Sequence, residues 1–168
     1  MKITIVGLAG SGKTTLAKKI SAKFDIPHVH LDRYWFEGGG RLNQPAEEKA
    51  IVNAYIWEHI RPIIVDAPSW VSDGWYSSQQ PRITPLADTI VFLDIPLPVR
   101  LLGHAKRMVN RGSRHKELSI WQEVVFFYEM IRRTRLLRPK IMKFLELHQD
   151  KLLTFHSHKE AEAYLAQL

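Results

Sequence analysis

Short apolar runs alternate with longer stretches of helical periodicity along this chain. Lys2–Val6 ("KITIV") is apolar and β-branched, which predicts a buried strand running into a glycine-rich turn. Leu16, Ala17, Ile20 and Phe24 then recur at helical spacing across Lys13–Phe24. Pro27 introduces His28–Leu31, predicted as a second strand, and the three consecutive glycines of Glu37–Pro45 predict a mobile loop. Pro45–Ile60 opens on proline, places acids in its first turn and continues as a helix. Two stretches compete for the next strand. Pro62–Pro68 ("PIIVDAP") has the stronger strand composition and Ser69–Gly74 ("SWVSDG") the weaker. Asp88–Pro96 is a clear buried strand. A basic helix from Pro98 to about Asn110 follows, then a turn around Arg111–Lys116 and a long helical pattern from about Leu118 to Leu147, with a break expected near Pro139. Lys151–Phe155 predicts a last strand and Lys159–Leu168 a last helix. Strands alternating with helices imply an α/β fold with a parallel sheet covered on both faces, whose ligands sit at the carboxyl ends of the strands.

Composition narrows the chemistry. The 168 residues are 45% hydrophobic, enough for one domain with a real core. There is no cysteine, which excludes disulfides, thiolate zinc sites and cysteine nucleophiles and suits a reducing cytoplasm. No apolar run reaches membrane-spanning length. The apolar start is too short for a signal peptide and leads straight into Ser11, Gly12 and Lys13. The net charge is +7, and its placement matters more than its size. Between Pro98 and Lys143 there are twelve Lys/Arg and three Asp/Glu, so this segment carries +9 and the remainder −2. Such a segment suits the phosphates of a small substrate or of a nucleic acid.

Gly7, Gly12, Lys13 and Thr14 match G-x-x-x-x-G-K-[ST], with Gly10, Ser11 and Thr15 inside or beside the pattern. Backbone N–H groups of such a loop curl around phosphate oxygens, and the following helix points its positive end at them. Lys13 is expected at the β- and γ-phosphates of ATP, and Thr14 on Mg²⁺. Asp32, Asp73 and Asp94 each follow or end a predicted strand, and the metal-linked carboxylate is expected among them. Pattern alone favours Asp94, because "TIVFLD" is the cleanest apolar run ending in Asp. His30, Asp32, Arg33, Tyr34, Trp35 and Phe36, followed by the glycine loop, suit an acceptor pocket with a movable cover. His28 and His30 share a strand face, a weak metal signal without further partners nearby in sequence. Arg107 and Arg111, four apart, with Arg114 just beyond, suit a lid over transferred charge that also excludes water. There is no [NT]-K-x-D guanine motif, S-G-G-Q, G-x-S-x-G or H-E-x-x-H.

"GLAGSGKTTLAKKI", "HVHLDRYWF", "APSWVSDGWY", "LADTIVFLDIP" and "LLTFHSHKEAEAYL" together resemble the adenylate-kinase-related P-loop family of DNA topology modulation (FlaR-type) proteins, over essentially the whole chain. The resemblance implies a nucleoside-monophosphate-kinase-like three-layer sandwich with a five-stranded parallel sheet, order 2-3-1-4-5. It implies one domain over 1–168, an acceptor-binding insert over about 32–67 and a short arginine-rich lid over about 107–118. It makes "SWVSDG" the third strand and "PIIVDAP" a helix end, and it prefers Asp73 to Asp94 for the metal. It puts His156 near the nucleotide base. The chain departs from the adenylate kinase pattern at Ser77, where an acceptor-binding arginine is expected, with Arg82 the nearest substitute.

The expected function is therefore ATP binding with Mg²⁺ and transfer of the γ-phosphoryl group to a small acceptor. Lys13, Asp32, Arg107 and Arg111 are the catalytic candidates. Arg114 and His156 join the loop on the nucleotide, and Asp32, Arg33, Tyr34 and Arg82 face the acceptor. Two rivals stand beside it: an ATP-binding regulator on DNA, drawing on Arg132, Arg133 and Arg135, and a nucleotide-binding protein with little turnover. No membrane partner is expected. The acceptor and the oligomeric state are left open.

Overall fold

The computed structural model of the protein describes residues 1–41, 43–110 and 120–168, and their side chains outside 106–127. In chain order the elements are β1 (Lys2–Gly7), α1 (Lys13–Phe24), β2 (His28–His30), α2 (Leu31–Glu37), α3 (Ala46–Arg61), β3 (Trp70–Asp73), α4 (Gln80–Ile83), β4 (Thr89–Leu93), α5 (Leu97–Asn110), α6 (Ile120–Leu145), β5 (Leu152–Phe155) and α7 (His158–Gln167). The strands form one all-parallel sheet in the order β2-β3-β1-β4-β5. The expected α/β fold and strand order are therefore found.

The central strand β1 is buried on both faces. Ile3 and Ile5 pack with Leu16, Ala17 and Ile20 of α1 and with Val71 and Val91 of the adjoining strands. Val6 packs on the opposite face with Ile90, Phe92, Ile141 and Leu145. A third cluster joins Val29, Leu31, Val52, Ile56, Ile60, Ile64 and Trp70. The polar pair Thr4 and Ser72, opposite one another in β1 and β3, is accommodated by a 2.9 Å hydrogen bond between their hydroxyls.

Two stretches depart from their composition. Pro62–Asp66 is a π-helical turn that continues α3, so the weaker candidate, Trp70–Asp73, supplies the third strand. The cause is packing. Val52, Ile56, Ile60 and Ile64 fall every four residues and keep one buried stripe running through Pro62. Buried Trp70 then closes the turn by donating Nε1–H to the Ile64 carbonyl at 3.0 Å. Similarly, α6 runs through Pro139 without ending. Leu137, Ile141 and Leu145 lie four apart on either side of it and pack against the sheet, which offsets the roughly 3 kcal/mol that an internal proline costs.

The second strand is shorter than expected, because Leu31 and Asp32 belong to the first turn of α2. Asp32 is therefore not a strand-end carboxylate but one at a helix N-terminus, where negative charge is favourable. Gly38, Gly39 and Gly40 donate in succession to the carbonyls of Tyr34, Phe36 and Trp35, at 2.9, 3.0 and 2.8 Å. Gly40 is there for close approach, since a Cβ would overlap the Trp35 ring. No helix among the described residues is long and apolar enough to cross a membrane.

Candidate active site

β1 delivers the chain to the carboxyl edge of the sheet, where residues 8–12 turn back into α1. The turn is closed by Ser11 N–H on the Leu8 carbonyl at 3.2 Å. Gly12 caps α1 at φ 90°, ψ 8°, a left-handed conformation that strains any side chain. No acidic residue occupies the first turn of α1, so its positive end is left for a ligand anion. The Ser11 hydroxyl is buried with no hydrogen-bond partner among the described residues.

Lys13 Nζ donates to the Leu8 carbonyl at 3.1 Å. Burial lowers the Lys13 pKa, with the charges of Asp32 and Asp73 pulling it back. The next side chain, Thr14, donates its hydroxyl to Asp73 Oδ2 at 2.6 Å. Asp73 ends β3 and is 1% exposed. Its other oxygen is approached by His28 Nε2 at 2.6 Å and His30 Nδ1 at 2.9 Å. Burial on its own raises the Asp73 pKa, but the hydrogen bonds from His28, His30 and Thr14 outweigh it and hold the carboxyl well below the usual range. Thr14 and Asp73 thus present two oxygen donors side by side, the donor chemistry that Mg²⁺ takes.

Beyond Lys13 opens a cavity of about 360 Å³. Gly7, Leu8 and Lys13 form one wall and Asp32 and Trp35 of α2 another. The Tyr76 hydroxyl donates to Asp32 Oδ1 at 2.8 Å, and its ring lies against Trp35 with centroids 5.4 Å apart. Burial, then the Asp32 charge and hydrogen bond, push the Tyr76 pKa up, so it stays a neutral donor. Arg41, Lys49 and Arg133 add positive charge to the lining. Arg41 also pairs with Glu48 and Arg133 with Glu129, at 2.7 and 3.4 Å.

Arg100 is the unexpected member. It is a 1% exposed arginine on α5 whose guanidinium donates to the Ile95 carbonyl at 2.9 Å, the Ala9 carbonyl at 3.0 Å and Thr134 Oγ1 at 2.8 Å. It ties the phosphate loop to α6. A smaller hollow of about 240 Å³ lies on the other side of the loop, bordered by Gly10, Gly12, Thr15, Leu93, Gly103 and His158.

The candidates read from the sequence divide accordingly. Gly7, Lys13 and Asp32 meet in one cavity, Thr14 and Asp73 adjoin it, and Gly10, Gly12 and Thr15 line the smaller hollow. Arg33 is exposed and paired with Glu37 at 2.7 Å, and half-buried Tyr34 packs into the α2–α3 core. Arg82 lies over the Trp57 ring, 5.0 Å from its centroid, in a separate groove with Asn53 and Gln79. Asp94 takes a two-pronged bond from Arg138 at 3.0 and 2.7 Å. His156 is exposed, with its backbone N–H on Glu160. It is His158, not His156, that touches the loop, 3.2 Å from the Ser11 carbonyl. The expected lid falls outside the described residues: Arg111 and Arg114 are not described, and of Arg107 only the helical backbone is. Trp75 and Tyr76 lie in the stretch "APSWVSDGWY", which assigns them no role, and Arg41, Lys49, Arg100, Met130 and Thr134 carry no local motif. Only the spacing of Met130, Thr134, Leu137 and Ile141, one stripe of α6, was available as a signal.

No protein-family model matches the chain, and neither does the sequence of any curated protein. Solved structures do. The chain is similar to shikimate kinase from Acinetobacter baumannii in complex with shikimate, with TM-score 0.57 and 13% identity over 99% of this chain and 88% of that one. It is also similar to an uncharacterized protein from Eubacterium ventriosum, with TM-score 0.52 and 14% identity over 82% and 74%. Fold and loop together define a protein of the P-loop kinase fold. At these identities the likeness concerns the fold alone.

Proposed function

We propose that the protein is an ATP-dependent phosphotransferase acting on a small, anionic, hydroxyl-bearing acceptor. One observation carries this: Lys13 of the phosphate loop and the carboxylate of Asp32 line the same cavity. A donor-side cation and an acceptor-side carboxylate facing one space are what transfer needs. Hydrolysis alone needs no such chamber. The volume suits a small molecule, and Arg41, Lys49 and Arg133 favour a negative one. The likeness in fold to a shikimate kinase and the motif resemblance to the FlaR-type family agree with a kinase of this general kind, working in the cytoplasm.

The phosphates bind on the loop amides and the N-terminus of α1, with the base in the smaller hollow beside Gly103 and His158. Lys13 Nζ exchanges its bond to the Leu8 carbonyl for the transferring phosphoryl group, and the cost of burying that cation is recovered in the new charge pair. Thr14 and Asp73 would hold magnesium, which would supply neutralising charge to the phosphates of the nucleotide. Tyr76 fixes one oxygen of Asp32, which leaves Oδ2 to orient the acceptor hydroxyl and take its proton as the oxygen attacks. Trp35 and Trp75 shield the chamber from water, which competes with the acceptor.

ADP formation by the purified protein, followed with Mg²⁺ against shikimate, other small hydroxy acids, nucleoside monophosphates and nucleosides, tests this. One acidic hydroxyl class is expected to stimulate turnover. ADP release that no acceptor changes would overturn the proposal.

A further inference from the structure

The magnesium chemistry above uses Asp73 Oδ2 and the Thr14 hydroxyl. It leaves unexplained why two imidazoles converge on the other oxygen of the same carboxylate. His28 and His30 are two apart in β2, so their side chains share one face of the sheet. The register sets His28 opposite Val71 and His30 opposite Asp73, and both ring nitrogens reach Asp73 Oδ1, at 2.6 and 2.9 Å. The three donor atoms all lie within 4.8 Å of one another. They are the one such group of three His, Cys, Asp or Glu among the described residues.

We propose that His28 Nε2, His30 Nδ1 and Asp73 Oδ1 form a binding site for one divalent transition cation of zinc-like ligand preference. Two imidazoles and one carboxylate are the ligands that such ions take with a fourth position left to water, and hard Mg²⁺ does not seek nitrogen. A four-coordinate ion at about 2.0–2.2 Å from each ligand holds its donors roughly 3.3 Å apart. The two nitrogen–carboxylate separations, 2.6 and 2.9 Å, lie below this value and would widen on binding, and the two ring nitrogens lie within 4.8 Å of each other. Three further facts favour an ion. β2 is the edge strand of the sheet, and the histidine side chains are 15% and 29% exposed, so solvent reaches them. The carboxylate behind them is fully buried, so it offers its oxygens only toward the two rings and Thr14. The Thr14 hydroxyl on Oδ2 fixes the plane of the carboxylate, as an outer partner of a metal ligand does. This site rests on the geometry of β2 and β3 and not on the phosphoryl-transfer proposal, so either can fail alone.

The test uses the full chain with Co²⁺ as probe, without nucleotide or Mg²⁺. One equivalent of Co²⁺ is expected to bind with the visible d–d absorption of a four- or five-coordinate ion, and Zn²⁺ is expected to bleach it. His28→Ala and His30→Ala each remove a ligand and should weaken Co²⁺ binding by about 100-fold or more, beyond what loss of an outer partner costs. Asp94→Asn, a carboxylate 3.8 Å from a different histidine, should change nothing. His28→Gln/His30→Gln, with circular dichroism confirming its fold, serves as the reference. Absorption no greater than in that double variant, or Co²⁺ bound equally by it, would overturn the site and leave the two histidines as charge compensation for a buried carboxylate.

Discussion

The two sides of the candidate active site are built differently. The donor side is a single stretch, Gly7 to Thr14, closed by bonds within the loop and the start of α1 and steadied from outside by Arg100, Asp73 and His158. The acceptor side is gathered from separate segments: Asp32 and Trp35 of α2, Arg41 to Lys49, Trp75 and Tyr76, Arg100 of α5, and Met130 to Ile141 of α6. The first is specified by local backbone conformation and tolerates little change. The second exists only because the sheet order brings β2, β3 and β1 together and because Arg100 ties α5 and α6 to the loop. Loop variants should therefore lose phosphate binding, and chamber variants should lose transfer or stability while nucleotide binding persists.

The largest expected effect lies on the acceptor side. Asp32→Asn should lower kcat on the order of 10²- to 10⁴-fold, the range for loss of a general base, with the Kd for ATP unchanged by calorimetry. Loss of ATP binding would show instead that Asp32 belongs to the donor side. Next, Lys13→Ala should cost on the order of 10²- to 10³-fold in kcat, as removal of a preorganised transition-state donor does. It should also weaken ATP itself, which separates the two sides in one comparison.

Arg100→Met tests the strap between the sides. It strands the Ala9 and Ile95 carbonyls, and leaving buried groups unpaired costs about 1–3 kcal/mol. Urea unfolding should show that loss. An unchanged midpoint would mean that Arg100 holds nothing together. On the donor side, Gly103→Leu puts a side chain where open space borders the smaller hollow, and should raise the Kd for ATP about tenfold, or about 1.4 kcal/mol. It should leave unfolding nearly unaltered.

The smallest effect concerns pH. The Arg138 hydrogen bond and charge hold the Asp94 pKa below its ordinary value against partial burial. Its folded pKa therefore lies below the unfolded one, so the stabilisation is complete above about pH 4 and disappears as pH falls through the folded value. With Arg138 about half exposed, the pair amounts to about 1 kcal/mol or less. Asp94→Asn should lower stability at pH 6, and the difference should shrink as pH falls below about 4.

The same contrast explains what could be read from the sequence. The loop, α1 and the strand alternation follow from local pattern. The third strand does not, since "PIIVD" outscores "WVSD" on composition. What decides is the stripe Val52, Ile56, Ile60, Ile64, which needs Pro62 to be read as part of a helix. Asp73 and Asp94 end similar runs, and only tertiary contacts separate them: Thr14 on one, Arg138 on the other. Gly40 serves close packing on Trp35, a reason for glycine that the sequence does not display. The roles of Arg100 and Tyr76 are not visible locally, since Ala9 lies 91 residues from the first and Asp32 lies 44 from the second.

Following the γ-phosphoryl group of ATP by ³¹P NMR tests the central claim most directly. With wild-type protein, Mg²⁺ and the acceptor that stimulates turnover, the phosphorus is predicted to appear in a phosphate ester of that acceptor, and with Asp32→Asn that ester should be lost while ATP still binds. Phosphorus released only as inorganic phosphate, at a rate indifferent to the acceptor and to Asp32, would contradict it.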